Sequence, residues 1–115
     1  SSNSKFFSFL RNQNIKAGIL LVEAKNYDKT EIGNSQFNQG AGYTISGARE
    51  LVFLSSRKSI DAGQIKKARR HFLSHKILIL PISDEDIIKM LSEWYQNPVD
   101  FDQLLVERAQ KIMQA

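Results

Sequence analysis

The chain contains no cysteine, a single tryptophan, two prolines and six glycines in 115 residues. Without cysteine there are no disulfides, no thiolate metal sites and no sulfur nucleophile, and the composition agrees with a cytoplasmic location. No apolar run approaches the ~18 residues needed to cross a bilayer, so no membrane span is expected. The opening "SSNSKFFSFLRNQ" has no apolar core of signal-peptide length, so export is not expected either. Repeats, linkers and low-complexity tracts are missing, and no serine nucleophile motif occurs. A chain of this length reads as one domain over residues 1–115. Acids are also scarce at the start: Ser1 to Val22 contains neither aspartate nor glutamate.

What is present is unevenly charged. Ser1 to Ile82 holds 13 Lys/Arg against 5 Asp/Glu, whereas Ser83 to Ala115 holds 3 against 7, so a body of about +8 precedes a tail of about −4. A basic body favours a polyanionic partner such as nucleic acid, with a merely solvated basic face as the plain alternative.

Periodicity gives the element order α-β-α-β-α-β-α-α. Phe6, Phe7, Phe9 and Leu10 suggest a short apolar-striped helix that needs something to pack against. A strand follows from about Gly18 to Lys25, then a polar loop. "NSQFNQGAGYTISG" reads as a helix capped at Asn34 or Ser35, in which Gly40 and Gly42 would allow close backbone approach. "ELVFLSS" is a short apolar strand, and "DAGQIKKARRHFLSH" an amphipathic helix with Ile65, Ala68 and Phe72 inward and a basic outer face. "KILILPI" reads as a third buried strand stopped by Pro81. "SDEDIIKMLSEWY" is a helix with Ser83 as N-cap and three acids at its positive end. After "QNP", Asp100 is expected to cap a last helix whose apolar face includes Phe101, Leu104, Leu105, Ile112 and Met113. Trp94 and Tyr95 read as core or domain-contact residues. Strands alternating with helices of ten or more residues point to an α/β domain with helices on a central sheet. An apolar helix at the very start, with only three strands to follow, suggests the later part of a longer chain.

The stretch "GILLVEAKNYD", Gly18 to Asp28, carries the chemistry. Strand periodicity puts Leu21, Glu23 and Lys25 on one face and Leu20, Val22 and Ala24 on the other. A carboxylate and an ammonium then lie side by side at the carboxyl end of a strand, where α/β sheets bind ligands. This pairing suits metal-assisted phosphodiester hydrolysis, because a carboxylate is a hard oxygen ligand for Mg²⁺ and a lysine can position the attacking water. A strand-end ion pair, worth at most about 1 kcal/mol if exposed, is the structural alternative.

"GILLVEAKNYDKTEIGNSQFNQGAG" resembles the central motif of the PD-(D/E)XK nuclease superfamily, the restriction-endonuclease-like fold. It is most similar to the branch in which a strand ending in E-x-K-N-Y is followed by I-G-N and a helix bearing glutamine. "FFSFLRNQ", "LVFLSSR" and "ILILPISDEDIIKML" fall where that branch has a helix, a strand with a terminal arginine, and a strand-helix unit. The resemblance implies an α/β fold with a central mixed sheet flanked by helices, its N-terminal part missing from this chain. It also implies a Mg²⁺-dependent endonuclease that hydrolyses DNA in restriction or phage defence. On these residues Glu23 would bind metal, Lys25 would position water and Gln39 would support the site. Asn26, Tyr27, Asn34 and Gln36 would be supporting residues, although Asn26 and Tyr27 also fit ordinary turn positions and Gln36 and Gln39 a solvated helix face. Such nucleases carry a further aspartate on the preceding strand, and none stands in Ser1 to Val22. It would lie upstream in a longer parent chain, be lost in a non-catalytic relative that binds nucleic acid or a protein, or be replaced by Asp28 or Glu31. Arg57, Lys58, Lys66, Lys67, Arg69 and Arg70 are candidate phosphate contacts. Cutting both strands of a duplex calls for two sites and hence a homodimer.

Two further patterns carry less. His71 and His75 lie one helical turn apart, but the glutamate of H-E-x-x-H is missing beside His71, so they read as basic-face residues. The G-x-G of "QGAGYTISG" neither follows a strand directly nor has the third glycine of a dinucleotide site.

Overall fold

The structure is a computed structural model that describes residues 4–15, 21–23 and 51–114, with 21–23 described by backbone alone. The expected helix at "NSQFNQGAGYTISG" lies outside the described residues, as do Lys25, Asn26, Tyr27, Asn34, Gln36 and Gln39.

The described chain forms α1 (Lys5–Asn12), β1 (Leu21–Glu23), β2 (Leu51–Ser56), α2 (Ala62–His75), β3 (Leu78–Ser83), α3 (Asp84–Gln96) and α4 (Gln103–Met113). The three strands form one sheet in the order β1-β2-β3, and both neighbouring pairs are parallel. The mixed sheet expected from the resemblance is therefore not seen among the described residues. The reason is local: α2 carries the chain back along the sheet, so β3 starts at the same end as β2. Parallel strands sandwiched between helices are covered on both faces and read as continuous apolar runs. "LVFL" in β2 and every residue of β3 are buried accordingly.

Pro81 does not stop its strand. It sits inside β3 in register with Leu54. Within the described sheet β3 is an edge strand, and the Pro81 carbonyl faces away from β2, accepting from Arg108 Nη1 at 3.0 Å. The nitrogen lies on that same outer side, so its missing N–H leaves no gap in the ladder.

The helices follow from caps and stripes. Asp61 and Gln64 form a capping box at the start of α2, and Ser83 and Asp86 form one at α3. α2 ends in Lys76, whose left-handed backbone (φ 56°) turns the chain into β3. The stripe on α1 finds its partner: Phe6 and Leu10 are buried, and Phe6 meets Phe53 of β2 at 6.0 Å between ring centroids. α4 packs against α2, β3 and α1 through Leu105, Val106, Ala109 and Ile112.

The last helix is capped by Asp102 and not by Asp100, and Phe101 precedes it. Asp102 makes no side-chain cap to α4. Its buried carboxylate instead accepts from the Phe6 N–H at 3.1 Å and from the Ser4 hydroxyl, so it closes the start of α1 from across the fold. Asp100 pairs with Lys5 beside it. Local periodicity carries no sign of so distant a partner, which is why the nearer aspartate reads as the cap. Trp94 and Tyr95 are exposed and do not enter the described core.

Candidate functional site

Three parallel strands bring their carboxyl ends to one edge. Glu23 closes β1 in register with Leu54, and β2 and β3 end together at Ser56 and Ser83. α2 and α3 also start there. Both helix N-termini are occupied by their own caps: Asp61 Oδ1 accepts from the Gln64 N–H at 3.0 Å, and Ser83 Oγ from the Asp86 N–H at 3.1 Å. Each cap answers the N3 N–H of its helix, and Arg57 and Lys58 bring positive charge to an edge that also carries the exposed acids Asp61, Asp84 and Glu85. Arg57 and Lys58 leave β2 at this point, both exposed. Their loop is held at its base, where the Lys58 N–H donates to Ser56 Oγ at 3.2 Å and Ser59 Oγ donates to Glu85 Oε2 at 2.7 Å.

From the edge, α2 runs back along the sheet with its apolar side inward and its bases sorted by face. Lys66 and Arg70 are four residues apart and exposed, so they share one outer stripe, and Lys67 flanks it half-buried. At 1.5 Å per residue the stripe reaches about 12 Å from Ala62 to Arg70. Arg69 is turned elsewhere: its Nη2 donates to the Lys111 carbonyl at 2.6 Å, closing the C-terminal end of α4. Of the six bases singled out from sequence, Arg69 thus belongs to the packing of two helices. His71 stays below its usual pKa because burial disfavours the imidazolium, with His75 and Arg70 adding repulsion. It contributes little positive charge at neutral pH.

Sequence reasoning missed the ion pair of Asp86 and Arg108. Arg108 Nη2 donates to Asp86 Oδ1 at 3.2 Å and its Nη1 to Oδ2, while the Ser83 N–H donates to Oδ2 at 2.8 Å. Burial pushes the Asp86 carboxyl up, but hydrogen bonds from Arg108 and Ser83 and the guanidinium charge together hold it below the usual carboxylate range. The S-x-x-D spacing from Ser83 to Asp86 was the available signal for the cap, and nothing local pointed to Arg108. A cavity of about 610 Å³ lies between the starts of α2 and α3 and one side of α4. Four acids (Asp61, Glu85, Asp86, Glu107) and four bases (Arg69, Lys89, Arg108, Lys111) line it, so it favours no ion of either sign.

Among the described residues no three His, Cys, Asp or Glu side chains gather to hold a metal. Glu23 is the acid that the described strands bring to the carboxyl edge. No helix among the described residues is long and apolar enough to cross a membrane.

Compared with known proteins, the chain matches no family model, no curated sequence and no solved structure.

Proposed function

We propose that this chain is the catalytic part of a Mg²⁺-dependent endonuclease of the restriction-endonuclease-like fold, hydrolysing DNA phosphodiester bonds. The observation that supports this reading is the carboxyl edge of the sheet. β1 ends there at Glu23, the first residue of the E-x-K sequence, beside the strand that releases Arg57 and Lys58, and the Lys66–Arg70 stripe leads away from it. Mg²⁺, when bound, supplies a Lewis acid for the phosphate and lowers the pKa of a bound water. Glu23 would hold it, and Lys25 would orient the attacking water and offset the charge that develops on phosphate. Arg57, Lys58, Lys66, Lys67 and Arg70 would neutralise backbone phosphates and set the position of the duplex. The reading needs a second carboxylate near Glu23, from Asp28, from Glu31 or from chain preceding Ser1.

A second reading follows from that last requirement. With Glu23 as the acid present, the same surface makes a nuclease-like module that holds DNA without cutting it. Plasmid cleavage with Mg²⁺ by the full-length protein, beside Glu23→Ala and Lys25→Ala, separates the two. Cutting that both substitutions abolish, with circular dichroism unchanged, supports the nuclease. An uncut plasmid with salt-sensitive DNA binding overturns it in favour of the module.

A further inference from the structure

A cavity of about 410 Å³ lies at the end of the sheet opposite Glu23, where α2 turns into β3. The six-residue strands set it roughly 20 Å from the carboxyl edge. Three helices end there: Gln13, Lys76 and Gln114, which follow the last turns of α1, α2 and α4, all line it. Its apolar lining is Phe9, Ile15, Phe72 and Met113, with Ile15 buried and the other three half-buried. Among the described residues neither Phe9 nor Phe72 stacks on another ring.

The polar groups of this cavity are nearly all of one kind. Gln13, Asn14, Gln110 and Gln114 bring four exposed carboxamides to it, and among the described residues none of the four is hydrogen-bonded through its side chain. Lys76 is the one charged residue in the described lining. Charge narrows the ligand. A cation finds no carboxylate in that lining, and an anion meets three helix carboxyl ends, whose partial negative charges the single ammonium offsets. An uncharged ligand suits it best. A carboxamide offers a donor and an acceptor side by side, the pattern that pairs with the amino group and ring nitrogen of adenine. Unstacked aromatic side chains suit the face of such a ring, and the volume is that of a small-molecule site. A free nucleoside fits better than a base within a strand, because flanking phosphates would lie against the same helix carboxyl ends.

We propose that this cavity binds the adenine-type base of a free nucleoside, with the phenylalanines against the ring and the carboxamides on its edge. The proposal rests on the cavity and not on the nuclease reading, since the two sites lie at opposite edges of the sheet.

Titration of the full-length protein with adenosine, followed by heteronuclear NMR and by calorimetry, tests it. Chemical-shift changes should gather at residues 9–15, 72–76 and 110–114 and include side-chain NH₂ signals of the carboxamides. Asn14→Gly removes one carboxamide at a left-handed position (φ 58°) that glycine adopts freely, so the turn is kept. Phe72→Leu keeps most of the apolar bulk and removes a ring face. Each should weaken adenosine binding by about fivefold or more, and uridine should bind the wild type about tenfold more weakly than adenosine. No binding up to the solubility limit of adenosine overturns the proposal. Binding that both substitutions leave unchanged overturns it too, as does an equal affinity for uridine. A deoxyadenylate strand that binds more tightly than adenosine, and loses that advantage in Asn14→Gly, overturns the free nucleoside in favour of a base within DNA.

Discussion

α3 and α4 are written in the same manner and end in opposite places. Both are amphipathic helices of 13 and 11 residues, yet Leu105, Val106, Ala109 and Ile112 of α4 are buried while Ile88, Leu91 and Trp94 of α3 face outward. The difference lies in what surrounds them. α4 lies in a trough made by α2, β3 and α1, whereas α3 leaves β3 at Ser83 without a loop and is clamped at its first turn by Asp86 and Arg108. Amphipathicity gives a helix an apolar face. It does not state that the fold covers it.

Core truncation breaks the comparison most directly. Ile112→Ala removes a fully buried side chain from the α4 trough and should cost about 3–4 kcal/mol in urea unfolding. Leu91→Ala, at an exposed position, should change stability by less than about 0.5 kcal/mol. Equal losses at the two positions would mean that the outer face of α3 is packed within the fold, and the contrast between the helices would vanish.

The clamp that aims α3 comes next. The Asp86 and Arg108 side chains are 12% and 16% exposed, so Asp86→Asn leaves a mostly buried guanidinium without its counter-charge and should cost about 2–3 kcal/mol near neutral pH. The pH dependence has a definite sign. The folded-state pKa of Asp86 is depressed, so its stabilisation is present above the ordinary carboxylate pKa of about 4 and is lost as pH falls through the folded value. Wild-type and Asp86→Asn stability curves should therefore converge in acid. A constant gap down to low pH would show that the substitution acts through packing and not through charge.

Asp102 anchors α1 by a comparable device at lower cost. Asp102→Ala leaves the Phe6 N–H and the Ser4 hydroxyl without their acceptor and should cost about 1–2 kcal/mol. Amide exchange should rise in α1 while α2 and β3 keep their protection, because Asp102 holds one helix and not the sheet. Uniform loss of protection would instead make α1 part of the cooperative core.

Of these three anchors only the inward face of α4 with Ile112 was legible in the sequence. β2, α2, α3 and the buried run of β3 follow from apolar period and cap chemistry, since each is decided by residues within a few positions of one another. Pro81 misled because its meaning depends on β3 being an edge strand, which no local pattern records. Asp100 was read in place of Asp102 because the partner of Asp102 lies 96 residues away, at the Phe6 N–H. Trp94 and Tyr95 read as core or domain-contact residues, and their exposure removes only the first of these. Of the candidate site, sequence spacing gave Glu23 a place at the end of a strand and the bases a place on α2, but could not sort Arg69 from Arg70.

That sorting yields the smallest stability effect and the sharpest contrast within one helix. Lys66 and Arg70 lie on the outer stripe of α2, whereas Arg69, between them in sequence, is bonded to the end of α4. Lys66→Ala should change stability by less than about 0.5 kcal/mol, and Lys66→Ala combined with Arg70→Ala removes both bases of the stripe. If the stripe meets phosphates, the slope of log affinity against log salt for duplex DNA should fall by about two, roughly one for each contact removed. Arg69→Ala should do the reverse, costing about 1 kcal/mol of stability for its lost carbonyl contact and leaving the salt slope unchanged. Fluorescence anisotropy with one labelled duplex across a salt series reads both slopes. A slope that responds to Arg69 as strongly as to Arg70 would mean that DNA approaches from the α4 side, and the surface running from Arg57 to Arg70 would lose its role.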